Sequence, residues 1–290
     1  MTAPMSREAF RLDAVCVGPQ RTASSWLHGV LTAHPDLCFP RGVKETLFFD
    51  ERFDHGPAWY EWHFRHRRPG QRCVEIAPTY FDHEMARARL AAHRDGLRVI
   101  VTARNPAVRA FSLYCLHLAK GRVHGSFAEA VEQMPRILTS GRYARYCPAW
   151  ETTFGPDRVH YTLQEDMQAE PAEAIAAICA FLEVPPLRLP PFATSRHRDP
   201  RRVPRFPWLV RSISDAATML RGWRLHGLVN LGKRVGLRSL YRAGGEPPPS
   251  LTPELYADLA SRFARDITFL EARLRRDLSH WRTFPSGQEL

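Results

Sequence analysis

One loop carries the residue types that bind phosphate-like anions. Residues 18–25, GPQRTASS, follow a short apolar run and precede a helical pattern. A loop of small and hydroxyl residues in that position presents backbone N–H groups at the positive end of a helix dipole. The segment is therefore predicted to bind an oxyanion, with Arg21 as its cation and with the hydroxyls of Ser24 and Ser25 nearby. An ordinary helix start capped by serine is the alternative that this loop alone leaves open.

The loop differs from the one that binds ATP or GTP. A nucleoside-triphosphate P-loop has Lys directly before Ser or Thr, and this Lys reaches the terminal phosphates. Here Ala23 occupies that position, and the cation comes earlier, at Arg21. The sequence therefore disfavours turnover of ATP or GTP, and the shifted cation suits a different phosphate geometry.

Two further segments follow at informative positions, KETLFFD over residues 44–50 and RNPAVRAFSLY over residues 104–114. With the loop, they resemble the sulfotransferases that use 3′-phosphoadenosine 5′-phosphosulfate (PAPS). The loop is similar to that family's 5′-phosphosulfate site, KETLFFD to the KE..FFD element of its carbohydrate-type members, and RNPAVRAFSLY to its 3′-phosphate site. CVEIAPTYF over residues 73–81 and the run over residues 150–182 also match. The resemblance covers most of residues 13–185.

The resemblance implies catalytic roles for three residues. Glu45 would be the general base that takes the proton of the acceptor hydroxyl. Arg21 stands where the family has Lys and would stabilise charge on the bridging oxygen, and Lys44 would neutralise charge on the transferred group. A carboxylate beside a lysine needs its pKa tuned by burial to act as a base. A simple ion pair of Glu45 with Arg41 or Lys44 is the alternative.

The resemblance also implies the residues that contact PAPS. Backbone N–H groups of residues 21–26 would hold the 5′ end, because they lie at the start of a helix. Arg104, at the end of a predicted strand, would bind the 3′-phosphate together with Ser112. The predicted cofactor contacts are Arg21, Thr22, Ala23, Ser24, Ser25, Trp26, Arg104 and Ser112.

Two departures from the family pattern concern the acceptor. Leu47 stands where heparan-type members commonly have His, and Ile76 stands where they commonly have Lys. A highly charged glycosaminoglycan is thereby disfavoured, and a small molecule, a neutral sugar or a glycolipid head group is favoured. By the resemblance, Asp50 would help to place the substrate. Tyr80 and Phe81 are candidates to line the acceptor cleft, although aromatic residues at such positions more often belong to the core.

The elements that must position these residues alternate along the chain. Apolar runs typical of buried strands occupy residues 13–18, 73–77, 97–102 and 159–163, and helical patterns lie between them. This alternation predicts an α/β fold with a central, mainly parallel sheet and helices on both faces. The resemblance implies the P-loop-NTPase-like, three-layer version of that fold.

We expect a single sulfotransferase domain. Residues 208–235 are amphipathic and basic with two tryptophans, so a lid, a homodimer surface, a peripheral membrane contact and ordinary packing all remain open. The basic loop around residues 196–202 stands where the superfamily often has a mobile segment that contacts phosphate, and no single residue there is assigned. The predicted parts of the domain, residues 1–290, are a PAPS-binding core over 13–185, the basic loop and amphipathic segment over 186–250, and a C-terminal helix over 251–290.

Composition excludes several classes of protein. The chain has 290 residues, 44% of them hydrophobic, with a mean hydropathy of −0.35, which argues against disorder and against a disulfide-built miniprotein. Its 41 basic and 30 acidic residues give a net charge of +11, which indicates an anionic partner. A solvated basic surface is the alternative. The basic residues are scattered, so no nucleic-acid partner is predicted.

Cysteine usage and hydropathy suggest a compartment. The six cysteines stand singly, with no CxxC pair and no ligand spacing, so we expect reduced thiols and no metal site. The sequence shows no apolar stretch of 18 residues and no readable secretory leader. The expectation is a cytoplasmic protein.

Three functions therefore stand after the sequence alone. The favoured one transfers the sulfuryl group of PAPS to a hydroxyl of a small-molecule, sugar or glycolipid acceptor and releases adenosine 3′,5′-bisphosphate (PAP). A P-loop kinase is opposed by Ala23. A scaffold that binds PAPS or PAP without catalysis is favoured by the loop arginine and the two apolar departures. Glu45 together with Arg104 and Ser112 favours catalysis.

Overall fold

A computed structural model describes residues 10–194 and 247–285, together with positions 216, 219 and 220. Within these residues five strands form one sheet in the order β2-β3-β1-β4-β5, and every neighbouring pair is parallel. The predicted basic loop over 196–202 and the predicted amphipathic segment over 208–235 lie outside the described residues, apart from those three positions. The strands are β1 (Ala14–Cys16), β2 (Leu37–Cys38), β3 (Arg72–Ile76), β4 (Arg98–Ala103) and β5 (Val159–Leu163).

Helices cover both faces of the sheet, so the strands are buried on both sides. Val15 of β1 faces a core that includes Trp150, whereas the next residue, Cys16, faces a core that includes Leu27 and Ile178. The predicted α/β fold with a parallel sheet between helical layers is thus confirmed. The helices are α1 (Ser24–Leu31), α2 (Pro57–Trp62), α3 (Glu84–His93), α4 (Pro106–Ala119), α5 (Phe127–Gln133), α6 (Arg136–Thr139), α7 (Tyr143–Phe154), α8 (Gln164–Ala169), α9 (Pro171–Phe181), α10 (Pro253–Arg262) and α11 (Ala264–Leu274).

The register of the central strands brings their carboxyl ends together. Cys16 of β1 pairs with Ile76 of β3 and with Ile100 of β4. Because the strands are parallel, the segments that follow them leave the sheet at the same edge. The loop after β1, the segment after β3 and the start of α4 therefore all lie at this edge.

Gly18 allows the loop after β1 to pass directly against β4. A Cβ atom at this position would lie 2.1 Å from the Thr102 hydroxyl oxygen and 2.3 Å from the Thr102 backbone nitrogen. Backbone atoms cannot move aside as the end of a flexible side chain can, so only glycine fits at this close approach.

Helix α4 begins with a strong cap. The Asn105 side-chain oxygen accepts hydrogen bonds from the backbone N–H groups of Ala107 (3.0 Å) and Val108 (3.3 Å). Pro106 occupies the first helical position, where its missing N–H costs nothing. The Asn105 amide also donates to the Tyr256 hydroxyl at 2.8 Å. The cap therefore fixes the start of α4 and ties it to α10.

The C-terminal region differs from its prediction as one helix. Two helices, α10 and α11, meet at Phe263, whose backbone (φ −102°, ψ 9°) leaves the helical region. Phe263 is fully buried and packs in the core beside α4. Asp266 of α11 accepts from the backbone N–H of Ala144 at 2.9 Å, which directs α11 towards α7. Packing against two different helices thus replaces one continuous helix.

The close approach at Gly18 predicts the stability of a pair of glycine variants. We expect Gly18→Ala to lose at least about 3 kcal/mol of unfolding free energy, the upper end of the usual cost of overpacking. Gly29→Ala is the matched control, because its Cβ would meet only the Phe192 ring at 3.4 Å inside α1. This control should be neutral or stabilising by about 0.5–1 kcal/mol. Denaturant unfolding measures both, and wild-type stability of Gly18→Ala would contradict the described packing.

Candidate functional site

Buried hydroxyls anchor the loop after β1. The Thr22 side chain is fully buried, and its hydroxyl lies 2.7 Å from the Pro19 carbonyl oxygen and 2.6 Å from the Thr102 hydroxyl. Arg21 and Ala23, on either side, have left-handed backbones with φ of 81° and 64°. Such conformations are unfavourable for residues with a Cβ and persist where surrounding contacts impose them. The Thr22 bonds supply those contacts.

The loop is followed by a helix whose first backbone N–H groups are available as hydrogen-bond donors. Helix α1 begins at Ser24, and the residue before it, Ala23, provides no side-chain cap. The first backbone N–H groups of an α-helix have no partner within the helix. The N–H groups of Ser24, Ser25 and Trp26 therefore lie at the positive end of α1, where an anion is stabilised. The Trp26 indole has another role, because it donates to the Ala193 carbonyl at 3.2 Å.

Three of the predicted cofactor residues meet at the edge of the sheet. The Arg21 guanidinium donates from Nε to the Ser112 hydroxyl at 2.9 Å. Arg104 donates from Nη1 to the Arg21 carbonyl oxygen at 3.3 Å. Two guanidinium groups and a hydroxyl thus converge from the loop, the end of β4 and the middle of α4. Such a group of donors suits a phosphate, which accepts several charge-assisted hydrogen bonds.

The predicted catalytic pair lies against the same loop. Lys44 Nζ is 2.9 Å from Glu45 Oε1 and donates to the hydroxyls of Ser24 (3.0 Å) and Ser25 (3.4 Å). The side chains of Lys44 and Glu45 are 22% and 25% exposed. Of the ion pairs considered from the sequence, the one with Lys44 is present. The arrangement puts a carboxylate and an ammonium group beside the anion-binding helix start.

The Arg21 side chain lies in a different place from the one that the resemblance implies for it. Its guanidinium reaches Ser112 on α4, whereas Lys44 supplies the cation beside Ser24 and Ser25. The left-handed backbone at Arg21, with φ of 81°, sets the direction in which this side chain leaves the loop. The cation nearest the loop serines therefore comes from a separate segment.

A buried carboxylate that the sequence analysis did not single out lies behind the Lys44–Glu45 pair. Glu75 of β3 is fully buried, and its Oε1 accepts from the backbone N–H (2.7 Å) and the hydroxyl (2.6 Å) of Thr46. Its Oε2 accepts from the Tyr60 hydroxyl at 2.9 Å and lies 3.5 Å from the Tyr80 hydroxyl. Burial raises the pKa of Glu75 to about 7, against the opposing effect of these hydrogen bonds. An acidic residue inside the apolar run CVEIA was the available signal.

The residue after Thr46 has an unusual backbone. Leu47 has a left-handed conformation with φ of 59°. Its carbonyl oxygen accepts from the backbone N–H groups of Glu51 (3.1 Å) and Arg52 (2.9 Å). The Arg52 guanidinium also donates to the Thr46 carbonyl at 3.1 Å. These bonds keep Leu47 in a conformation that an unrestrained leucine avoids.

Two of the three predicted substrate residues lie in the core. Tyr80 is fully buried, and its hydroxyl accepts from the Phe49 backbone N–H at 3.3 Å. Phe81 is also fully buried, and its carbonyl accepts from the Trp150 indole at 2.9 Å. Both side chains therefore belong to the core, because the segment after β3 turns inwards. The Asp50 carboxylate accepts from the backbone N–H of Glu51 at 2.7 Å, and its role in placing the substrate stays a prediction.

A cavity of about 1070 Å³ opens beside Glu45. Leu47 lines it, as expected of a residue near the acceptor, whereas Ile76 is fully buried in the core. The departure at Ile76 thus concerns packing. The Thr79 hydroxyl, at the cavity wall, has no hydrogen-bond partner among the described residues. The charged side chains of the lining are Arg41, Lys44, Glu45, Glu51, Arg52, Arg68, Lys120 and Arg122.

Arg109, the second arginine of the RNPAVRAFSLY segment, lies inside the protein. It is fully buried and donates to the Ser140 hydroxyl (3.1 Å) and the Ile137 carbonyl (2.8 Å). Burial lowers the pKa of Arg109. The residue therefore joins α4 to the end of α6 through a hydroxyl and a carbonyl.

Neither a metal centre nor a membrane span is evident in the described part of the chain. Residues 10–194 and 247–285 contain no group of three His, Cys, Asp or Glu side chains arranged to bind a metal ion. No helix in these ranges has both the length and the apolar character needed to cross a bilayer.

The parallel sheet between helical layers defines an α/β protein with a P-loop-NTPase-like fold. Comparison with known proteins makes the assignment specific. The family model described as a sulfotransferase domain matches residues 11–191, so the chain belongs to the sulfotransferase family. A sulfotransferase from Alicyclobacillus acidocaldarius has the same fold, with a TM-score of 0.68 and 22% identity over 94% of this chain and 100% of that one.

Two curated relatives are heparan sulfate enzymes. The human heparan sulfate glucosamine 3-O-sulfotransferase 3B1 is 28% identical over 180 residues, which is 59% of this chain and 45% of that protein. The bifunctional heparan sulfate N-deacetylase/N-sulfotransferase 1 of Caenorhabditis briggsae is 24% identical over 198 residues, which is 60% of this chain and 23% of that protein. The matched region spans less than half the length of both relatives.

The raised pKa of Glu75 predicts a pH-dependent stability. Because the folded-state pKa (about 7) exceeds the ordinary value of 4.5, the folded protein binds the proton more tightly, and stability falls as pH rises between these values. The side chain of Glu75→Gln cannot titrate. As pH rises from 4.5 to 7, the unfolding free energy of this variant should therefore increase by up to about 3 kcal/mol relative to that of wild type.

Urea unfolding at a series of pH values from 4.5 to 8 measures that difference. Tyr60→Phe is the matched control, because it keeps the titrating carboxyl, so its stability should still fall as pH rises. Loss of the Tyr60 hydrogen bond, which lowers the pKa of Glu75, should extend that fall to higher pH. Parallel pH profiles of wild type and Glu75→Gln would contradict the raised pKa.

Proposed function

We propose that this protein transfers the sulfuryl group of PAPS to an acceptor hydroxyl. The observation that carries the proposal is the meeting of three separate segments around one loop. Arg21 of the loop contacts Ser112, Arg104 contacts the loop backbone, and Lys44 contacts the loop serines. Membership of the sulfotransferase family supports the same reaction.

The donors present fit the charges of PAPS. The start of α1, with the Ser24 and Ser25 hydroxyls, would bind the 5′-phosphosulfate end, because uncapped helix N–H groups favour an anion there. Arg104, Ser112 and the Arg21 guanidinium would bind the 3′-phosphate. These two groups of donors are joined by the Arg21 backbone and side chain, which suits a ligand with phosphate at both positions of one ribose.

The chemistry required of the side chains is limited. Sulfuryl transfer is an in-line displacement that resembles phosphoryl transfer, so positioning and charge stabilisation dominate. A bond forms between the acceptor oxygen and sulfur while the bond from sulfur to the bridging phosphate oxygen breaks, and PAP leaves with that electron pair. Glu45 takes the acceptor proton. Lys44, which lies beside Glu45 and the loop serines, neutralises charge on the group in transfer.

The cavity beside Glu45 is the proposed acceptor site. Leu47 in its wall supports an acceptor that is uncharged next to the reacting hydroxyl, such as a small molecule or a sugar. Six basic and two acidic side chains line the cavity as a whole, which supports an acidic group elsewhere on the acceptor. The heparan sulfate relatives, by their names, act on a carbohydrate.

A scaffold that only binds nucleotide is the competing function. The Lys44–Glu45 ion pair favours it, because the pair engages one oxygen of the Glu45 carboxylate in a structural contact. The two functions separate in one assay, in which ³⁵S-labelled PAPS is incubated with a panel containing a phenol, a glucosamine oligosaccharide and an aliphatic alcohol. Label on any acceptor supports transfer, and nucleotide binding without labelled product supports the scaffold.

The phosphate cluster predicts the PAP affinity of two variants. Arg104→Ala should weaken PAP binding by about 10-fold to 100-fold, as expected for loss of a charge-assisted hydrogen bond, and Ser112→Ala should weaken it less. Calorimetry measures both affinities. Arg87→Ala, which removes an arginine from α3, is the control and should bind PAP as wild type does. Unchanged affinity in Arg104→Ala would contradict the assigned 3′-phosphate site.

The general-base role predicts a separation of binding from turnover. Glu45→Gln should keep PAP affinity within about 2-fold and lose turnover by at least about 100-fold, because general-base catalysis contributes about 10²–10⁴. Glu61→Gln makes the same change of charge on α2, outside the lining of the cavity, and should retain turnover. Equal turnover of the two variants would remove Glu45 from the reaction.

A further inference from the structure

Several buried ionisable groups take no part in the reaction described above, and one of them is the carboxylate of Glu75. Glu75 lies near the carboxyl end of β3 and is fully buried. Both of its carboxylate oxygens accept hydrogen bonds. Burying a carboxylate is costly unless hydrogen bonds satisfy it. An apolar residue at this position of β3 would continue the apolar run without that cost. The contacts of Glu75 therefore indicate where its contribution lies.

The two oxygens of Glu75 serve different neighbours. Oε1 accepts both the backbone N–H and the hydroxyl of Thr46, the residue directly after Glu45. Oε2 accepts the hydroxyl of Tyr60, which belongs to α2 and the hydrophobic core. One half of the carboxylate thus faces the catalytic segment, and the other half faces the core.

Thr46 is the point through which the catalytic segment is fixed. Besides donating to Glu75, its hydroxyl accepts from the Phe48 backbone N–H at 3.1 Å, and its carbonyl accepts from the Arg52 guanidinium. Leu47 between them is left-handed. A strained conformation persists only where neighbouring bonds impose it. Loss of the Thr46 contacts would let residues 44–47 relax and carry Lys44 and Glu45 with them.

We propose that Glu75 is a positioning residue for sulfuryl transfer, which through Thr46 holds Glu45 and Lys44 at the loop serines. The inference rests on the proposed function, since it concerns the same reaction. Two donors of Thr46, its backbone N–H and its hydroxyl, meet the same oxygen of Glu75, so this one contact fixes both the backbone and the side chain of Thr46. The carboxylate itself stays behind the cavity and takes no part in proton transfer.

The geometry provides a matched pair of deletions. Thr46→Val removes the hydroxyl donor to Oε1, and Tyr60→Phe removes the hydroxyl donor to Oε2. Both replaced side chains are fully buried, and both substitutions keep the shape of the side chain. Only Thr46 is linked to Glu45, so the two variants separate positioning from general stabilisation of the core.

Thr46→Val and Tyr60→Phe are compared for turnover, because we expect them to lose similar amounts of thermal stability. Thr46→Val should lose turnover of ³⁵S-labelled PAPS by about 10-fold to 100-fold, because small displacements of catalytic groups have effects of this size. Its PAP affinity by calorimetry should stay within about 2-fold of wild type, because Arg104 and the loop are unchanged. Tyr60→Phe should lower the melting temperature by a similar amount and keep turnover within about 2-fold. Thr46→Ser, which restores the hydroxyl, should recover most of the turnover.

Three results would overturn the proposal. Equal loss of turnover in Thr46→Val and Tyr60→Phe would make Glu75 a purely structural residue. A fall in PAP affinity of Thr46→Val as large as its fall in turnover would place the effect on cofactor binding. Full activity of Thr46→Val would show that no positioning is needed. A wild-type protein that binds PAP and transfers no label would instead overturn the proposed function, and this inference with it.

Discussion

The hydrogen bond between the hydroxyls of Thr22 and Thr102 is the contact on which the site depends. It joins the loop after β1 to the end of β4, two elements that are adjacent only because the strands are parallel and in register. Gly18 permits this approach, since any side chain there would meet the backbone of Thr102. The bond fixes the left-handed residues on either side of Thr22, and with them the direction of Arg21 and the start of α1.

The second constraint is the placement of a carboxylate and an ammonium group beside that helix start. Lys44 and Glu45 belong to a segment without regular secondary structure, so a sheet or helix does not fix them. Their position depends on Thr46 and on the buried Glu75 behind it. Burying a carboxyl group is costly for its ionised form, and this burial raises the pKa of Glu75. The same carboxylate links the segment of Lys44 and Glu45 to the core of the fold.

Local signals explain what the sequence could predict. The apolar run at residues 159–163 corresponds to β5 with the same bounds, and the proline at position 106 marks the observed start of α4. Order and spacing of the motifs indicated the family, which the match over residues 11–191 confirms. These features are readable because strands, helix starts and loop motifs are encoded by neighbouring residues.

Long-range contacts explain what the sequence could not predict. The partners of Glu75 come from Thr46 and Tyr60, which are 29 and 15 residues away in the chain. The division between α10 and α11 follows from the burial of Phe263, and the direction of Arg21 follows from its φ angle. Tyr80, assigned to the acceptor cleft from its motif, is turned into the core by the path of the chain after β3.

Calorimetric titration with PAP and with ADP tests the central claim most directly. The two nucleotides carry the same number of phosphates and differ in whether one of them is on the 3′ position. The account predicts tight binding of PAP and at least about 100-fold weaker binding of ADP, because the proposed 3′-phosphate site combines Arg21 and Ser112, which contact each other, with Arg104, which contacts the Arg21 backbone. Equal affinity for PAP and ADP would contradict it, because the cluster of Arg21, Arg104 and Ser112 would then have no role in recognising a 3′-phosphate.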